Sequence, residues 1–243
     1  MMTEEYTFPA YEDRMMKIIE KFGAEKMETY KGVDIRPLWD MKGGGMAWSY
    51  KYLFAAPKLE KIIFSVQSFR DKLMCYTTII WPKDEYALPV YSSFWAESAK
   101  GSYMLIDLYP LADLIVDLDY LEHYMEPLED AHAKGAKNFP ERPSPSRDPN
   151  WWRAMSSPYA ITADFAPSTS ESQENILSLA EDYLNVYCDL WQKEEVRDAA
   201  YLQRINERKQ AIRQNLKDKD PGGVMLENSV GHELTELTLT ALF

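Results

Sequence analysis

Cysteine is scarce in this 243-residue chain: Cys75 and Cys188 stand far apart in apolar surroundings. They offer neither a disulfide framework nor a paired-thiol metal motif. Histidine is scarcer than most residues, and His123, His132 and His232 lack the spacing of metal ligands. No Gly-x-Ser-x-Gly elbow marks a nucleophilic serine. Gly43-Gly44-Gly45 is followed by Met46 rather than by Lys-Ser/Thr, so it reads as a turn and not as a phosphate cradle. Basic residues are outnumbered, 27 Lys and Arg against 39 Asp and Glu, for a net charge of −12. That balance disfavours the phosphates of nucleic acids and anionic membrane surfaces. No apolar run reaches the length of a membrane span, and no signal peptide is visible. The expectation is a soluble cytoplasmic protein with one domain, residues 1–243.

Apolar residues make up 46% of the chain and aromatic residues 13%, enough for a sizeable core. The stretch around which the chain is organised runs from Cys75 to Leu111. Thr77-Thr78-Ile79-Ile80-Trp81 has the composition of a strand covered on both faces, and Pro82 ends it by removing a ladder donor. Leu88-Pro89-Val90-Tyr91 leads through Ser92-Ser93-Phe94-Trp95 to a break at Lys100-Gly101, and Tyr103 to Leu108 forms the next strand. Earlier strands are expected over Ala47–Ala55 and Leu59–Ser68, with a turn at Phe69-Arg70-Asp71-Lys72. Strands that follow one another without long intervening helices form an antiparallel sheet.

Around this sheet the periodicity predicts helices. The first spans Tyr11 to Phe22, stopped by Gly23; Glu25 to Leu38 is a strand or an irregular entry. Leu111 to Leu128 is helical in period, Ala133 to Pro149 is a long surface loop, and Tyr159 to Phe165 is one more strand. Ser168 and Glu171 form a capping box for a helix reaching about Glu194. Val196 to Leu216 is a second helix, broken by Pro221-Gly222-Gly223, and Gly231 to Phe243 is a short last one. The fold class is α+β. Two carboxylates, Glu60 and Asp107, fall inside apolar strands. Each is either outward and wet, or inward with a raised pKa suited to proton transfer.

The succession Ile79-Ile80-Trp81-Pro82-Lys83, Leu88-Pro89-Val90-Tyr91 and Leu105-Ile106-Asp107-Leu108-Tyr109-Pro110 resembles the ferredoxin-dependent bilin reductases. Pro158 to Ser168, Tyr201 to Leu216 and Gly231 to Phe243 are similar to later segments of that family, in order and length. The resemblance implies a three-layer α/β/α sandwich with a linear tetrapyrrole held between the sheet and the C-terminal helices. It implies single electrons from reduced ferredoxin, a substrate radical, protons from protein side chains, and no tightly bound cofactor, metal or flavin.

The departures are specific. By count, Phe94 stands where the family carries a catalytic Asp, and Thr77 where some members have His. Asn206 falls at a C-terminal-helix Asp, and Ala166 at an Arg that pairs with a propionate. Pro57-Lys58-Leu59-Glu60 is similar to a segment that carries a functional Glu. The resemblance therefore implies Glu60 as proton donor and Asn206 as a catalytic contact to the pyrroles. Thr77, Phe94, Trp95 and Lys209 are the expected substrate-binding residues. Ferredoxin, an acidic partner, would dock on Arg204, Arg208, Arg213 and Lys217, with Lys134, Lys137, Arg142 and Arg147 a second basic stretch. Two activities stay open: a reductase, or a non-catalytic bilin carrier, chaperone or isomerase on the same fold.

Overall fold

The computed structural model describes residues 8–70, 73–139, 149–220 and 222–243. Helix α1 (Phe8–Ile19) buries Tyr11, Met15, Ile18 and Ile19, and Gly23 stops the turn after it at a φ of 63°. Short strands follow: β1 (Glu25–Lys26), then the hairpin β2 (Thr29–Tyr30) and β3 (Val33–Asp34). The glycine turn joins β4 (Met41–Gly43) to β5 (Met46–Ala56). The main meander is β6 (Leu59–Phe69), β7 (Met74–Pro82), β8 (Val90–Ser98) and β9 (Gly101–Tyr109). After α2 (Leu118–Tyr120), which runs on through two further short turns, come α3 (Glu129–Asn138), α4 (Asn150–Arg153) and β10 (Ile161–Phe165). Four helices complete the chain: α5 (Ser170–Lys193), α6 (Ala199–Lys219), α7 (Gly222–Val230) and α8 (His232–Leu242).

The large sheet runs β1-β5-β6-β7-β8-β9-β10 with β4 beside β5, and every pairing is antiparallel. Strand alternation gives it two different faces. On one lie Phe64, Tyr76, Thr78, Tyr91, Trp95 and Ile106, packed under α1, α3 and α5. There Tyr11 stacks on Phe64 at 5.5 Å, and the Tyr91 hydroxyl donates to the Ala180 carbonyl at 3.2 Å. The other face lies under α4, α6, α7 and α8. There Trp81 Nε1 donates to the Leu242 carbonyl at 3.1 Å, and Trp152 Nε1 to the Tyr109 hydroxyl at 3.0 Å. The result is the expected α/β/α sandwich.

Boundaries shift where packing overrides local pattern. The segment expected to begin a loop at Ala133 continues as α3 to Asn138, because Gly135 lets that helix press onto the sheet. A Cβ there would lie 2.2 Å from Ile161 Cδ1. Helical structure expected from Leu111 starts only at Leu118. The capping box of α5 sits one residue later than expected, between Thr169 and Ser172, while Ser168 Oγ bonds Ser102 Oγ at 2.8 Å. Helix α6 begins at Ala199, capped by Asp198, and α7 lies where a break alone was expected. Asp71, Lys72, Arg142, Arg147 and Pro221 lie outside the described residues.

The β5–β6 hairpin ties the layers together. Lys58, at a φ of 64°, donates to the carbonyls of Trp191 (2.8 Å), Gln192 (3.2 Å) and Glu194 (2.7 Å) at the end of α5. Lys61, fully buried on the opposite side, donates to the Ala241 carbonyl at 2.8 Å at the end of α8. Cations at helix C-termini answer the unpaired carbonyls and the negative end of the helix dipole. Lys58→Met is therefore expected to lower the unfolding free energy by about 1–3 kcal/mol in urea titrations. An unchanged midpoint would mean that water replaces the lysine at no cost.

Candidate functional site

The face beneath α6 to α8 holds an unusual amount of polar material for a sheet interior. Ser49, Lys51, Ser65, Ser92, Asp107 and Thr162 are all buried on it. Pairing lines up one row across the strands: Lys51 with Ser65, Ser65 with Thr77, Thr77 with Phe94, and Phe94 with Leu105. At about 4.8 Å per strand this row is about 19 Å wide. Gln67, Thr77, Phe94 and Ala96 are half-buried, so the face is incompletely covered toward that end of the strands. Thr77 and Phe94, expected as lining residues, stand opposite one another, half-buried, on this polar face.

Trp95 does not share that face. Adjacent strand residues point to opposite faces, and Trp95 stacks on Tyr76 at 4.6 Å beneath the N-terminal helices, 2% exposed. The parity of β8 thus puts Trp95 on the face opposite Thr77 and Phe94.

Glu60 lies five residues along β6 from Ser65, about 16 Å in an extended strand. Its carboxylate accepts hydrogen bonds from the Tyr30 hydroxyl and, at 2.7 Å, from Arg213 Nη2; Arg213 in turn lies 4.6 Å from the centre of the Trp81 ring. Burial pushes the Glu60 pKa up, but the Tyr30 and Arg213 bonds and the Arg213 charge outweigh it, and the net shift is downward. A carboxylate held charged in this way is poorly placed to give up a proton near neutral pH. Its geometry is that of a tie between sheet and α6.

Asn206 and Lys209 make a second tie. Asn206 Nδ2 donates to the Asp84 carbonyl at 3.0 Å, and Lys209 Nζ to the Pro82 carbonyl (3.2 Å) and Asp84 Oδ1 (2.5 Å). Arg208 Nε donates to the Pro110 carbonyl at 2.8 Å. Of the four docking residues expected on α6, Arg208 and Arg213 are thus engaged within the fold, while Arg204 and Lys217 are exposed. Lys134 pairs with Asp182 at 2.5 Å.

Asp107 takes the inward alternative. It is fully buried and accepts from the Ser157 backbone N–H (3.0 Å) and hydroxyl (2.5 Å). Burial raises its pKa to about 7 against the opposing bonds from Ser157. Lys51, which the sequence reading passed over, is 3% exposed, with Nζ 2.9 Å from Ser65 Oγ. It sits in Tyr50-Lys51-Tyr52, on the side of β5 that pairs through Ser65 into the face under the C-terminal helices. A separate concavity of about 760 Å³ is lined by Asp117, Asp119, Glu122 and Asp198 among others, with no strand residue. With His123 and one guanidinium, Arg197, against those four carboxylates, it is ill-suited to a ligand carrying carboxylates.

The Asp107 shift has a defined consequence for stability. Between about pH 4 and 7 the native chain keeps a proton that the unfolded chain releases, so stability falls as pH rises through that window. Urea unfolding of Asp107→Asn should lose this slope; a variant with the wild-type slope would refute the assignment.

A curated relative, phycoerythrobilin:ferredoxin oxidoreductase of Nostoc punctiforme, is 26% identical over 194 residues, 76% of this chain and 71% of the relative. The fold superposes on a crystal structure of phytochromobilin synthase from tomato in complex with biliverdin, with a TM-score of 0.78. That match covers 95% of this chain and 83% of the tomato chain at 19% identity. The family model for ferredoxin-dependent bilin reductase matches residues 18–243. With that match over nearly its whole length, the chain belongs to the ferredoxin-dependent bilin reductase family.

Proposed function

We propose that this protein reduces a linear tetrapyrrole, bound on the polar face between the sheet and α6 to α8, with electrons from ferredoxin. The observation that carries the reading is an incompletely covered polar face: Thr77 and Phe94 stand opposite one another, half-buried, amid buried Ser49, Lys51, Ser65, Ser92 and Asp107. An extended π-system with ring nitrogens and lactam oxygens needs such a floor, flat in one part and able to hydrogen-bond in another. The tomato neighbour, whose fold this chain shares, was crystallised with biliverdin.

In this reading Phe94 stacks on the ligand and Thr77 offers it a hydroxyl. Neither side chain is an acid. Glu60, Asn206 and Lys209 act as positioning residues, since each holds α6, the outer wall, against the sheet. Arg204 and Lys217 are exposed on α6 and can complement an acidic electron donor. Electrons would arrive singly from ferredoxin. Phe94 and Asn206, standing where acids are expected by resemblance, favour one second reading: a carrier that binds the bilin without reducing it.

Adding biliverdin to the purified protein should shift the visible spectrum of the pigment, and reduced ferredoxin should then consume the bound form. Phe94→Ala should weaken binding by about tenfold through lost stacking. The absence of any spectral change across linear tetrapyrroles would sink both readings, whereas binding without consumption selects the carrier.

A further inference from the structure

Lys51 is a buried cation that the fold does not require. Its Nζ has Ser65 Oγ as hydrogen-bond partner, and among the described residues no carboxylate pairs with it. The titratable group acting on it is the Cys75 thiol on β7. Two residues along β5, the Ser49 hydroxyl is buried with no hydrogen-bond partner. An ammonium left in this state costs several kcal/mol of desolvation. Lys61 and Lys209, the other fully buried lysines, differ: each donates to a main-chain carbonyl and joins a helix to the sheet. Lys51 joins neighbouring strands that already share a full ladder.

Its position is the second observation. Ser65 stands directly opposite Thr77, and Thr77 opposite Phe94. With Nζ 2.9 Å from Ser65 Oγ, the ammonium lies about one strand spacing from the half-buried floor. We propose that Lys51 is a catalytic residue that donates a proton to the tetrapyrrole bound on this floor; the proposal rests on the functional reading above. Burial lowers its pKa to about 8, which leaves it protonated at neutral pH yet a far better acid than a solvated lysine.

The step balances. Reduction of one double bond takes two electrons, delivered singly as two reduced ferredoxins are oxidised, and two protons. The Nζ–H bond of Lys51 breaks with its electron pair left on nitrogen, and the proton bonds to the reduced tetrapyrrole. Solvent supplies the second proton and, after product release, restores the ammonium.

The test compares wild type, Lys51→Met and Lys51→Arg for biliverdin binding by absorbance and for ferredoxin-dependent turnover between pH 6.5 and 9.5, a window that brackets the lysine pKa of about 8. Both variants should bind biliverdin within a few-fold of wild type and lose about 100-fold or more in turnover. Arginine keeps the charge but holds its proton, so Lys51→Arg separates proton donation from charge alone. Wild-type turnover should fall about tenfold per pH unit above about pH 8, a fall absent from the residual activity of the variants. Lys51→Met should melt no lower than wild type, since it removes an unpaired buried charge. Turnover of either variant near the wild-type rate would overturn the proposal, as would a flat wild-type profile, which needs no variant to fold. Wild type that binds biliverdin without consuming it would overturn this proposal and leave the carrier; wild type that does not bind would remove both.

Discussion

Two lysines three positions apart in one hairpin, Lys58 and Lys61, reach in opposite directions to the last carbonyls of helices on the two sides of the sheet. Most of the architecture can be traced from that clamp. A helix end buried without partners is costly, and a cation is the strongest single remedy. Lys58 in the turn and Lys61 on β6 reach opposite sides, so neither outer layer can shift without exposing carbonyls. Around Lys61 the same end of the sheet gathers the remaining fastenings of the C-terminal layer. Glu60 holds Arg213, Trp81 holds the Leu242 carbonyl, and Lys209 and Asn206 hold the loop that leaves β7. Helix α7 is held along the other border, where Gly44 passes so close to Ser229 that a Cβ would lie 2.3 Å from its carbonyl oxygen. The C-terminal helices are thus fixed at their margins by polar contacts, while Gln67, Thr77, Phe94 and Ala96 on the face itself stay only half-buried.

That arrangement explains which parts of the sequence were legible. β-Branched runs punctuated by proline give the central strands, because Pro82 and Pro89 act through the backbone alone. The helical stripe of α5 is equally local. Gly135 was not readable, since a glycine in a Lys-rich segment suggests a loop until Ile161 is known to lie against it. α7 follows a Pro-Gly-Gly break and has no strong stripe of its own. Both misjudged stretches owe their form to what lies across from them.

The site divides along the same line. Thr77 and Phe94 follow from the count against the family pattern, antiparallel register sets them opposite one another, and strand alternation puts Trp95 on the other face. Glu60 could not be judged locally: its decisive partner, Arg213, is 153 residues away. Lys51 carries no local signal for a related reason. An alternating strand implies one wet face when a sheet has one cover; this sheet has two, so its polar residues turn inward. The inward placement of Asp107 depends on Ser157, which approaches from a distant loop.

Fastening the helices at the margins has a consequence for how such a protein changes over generations. Thr77 and Phe94 lie on the incompletely covered face but secure no layer, whereas the clamps lie elsewhere. Substitutions on the floor can therefore alter chemistry with little penalty in folding. A scaffold built this way is evolvable at its centre: side chains on the open face can change their chemistry while the frame persists.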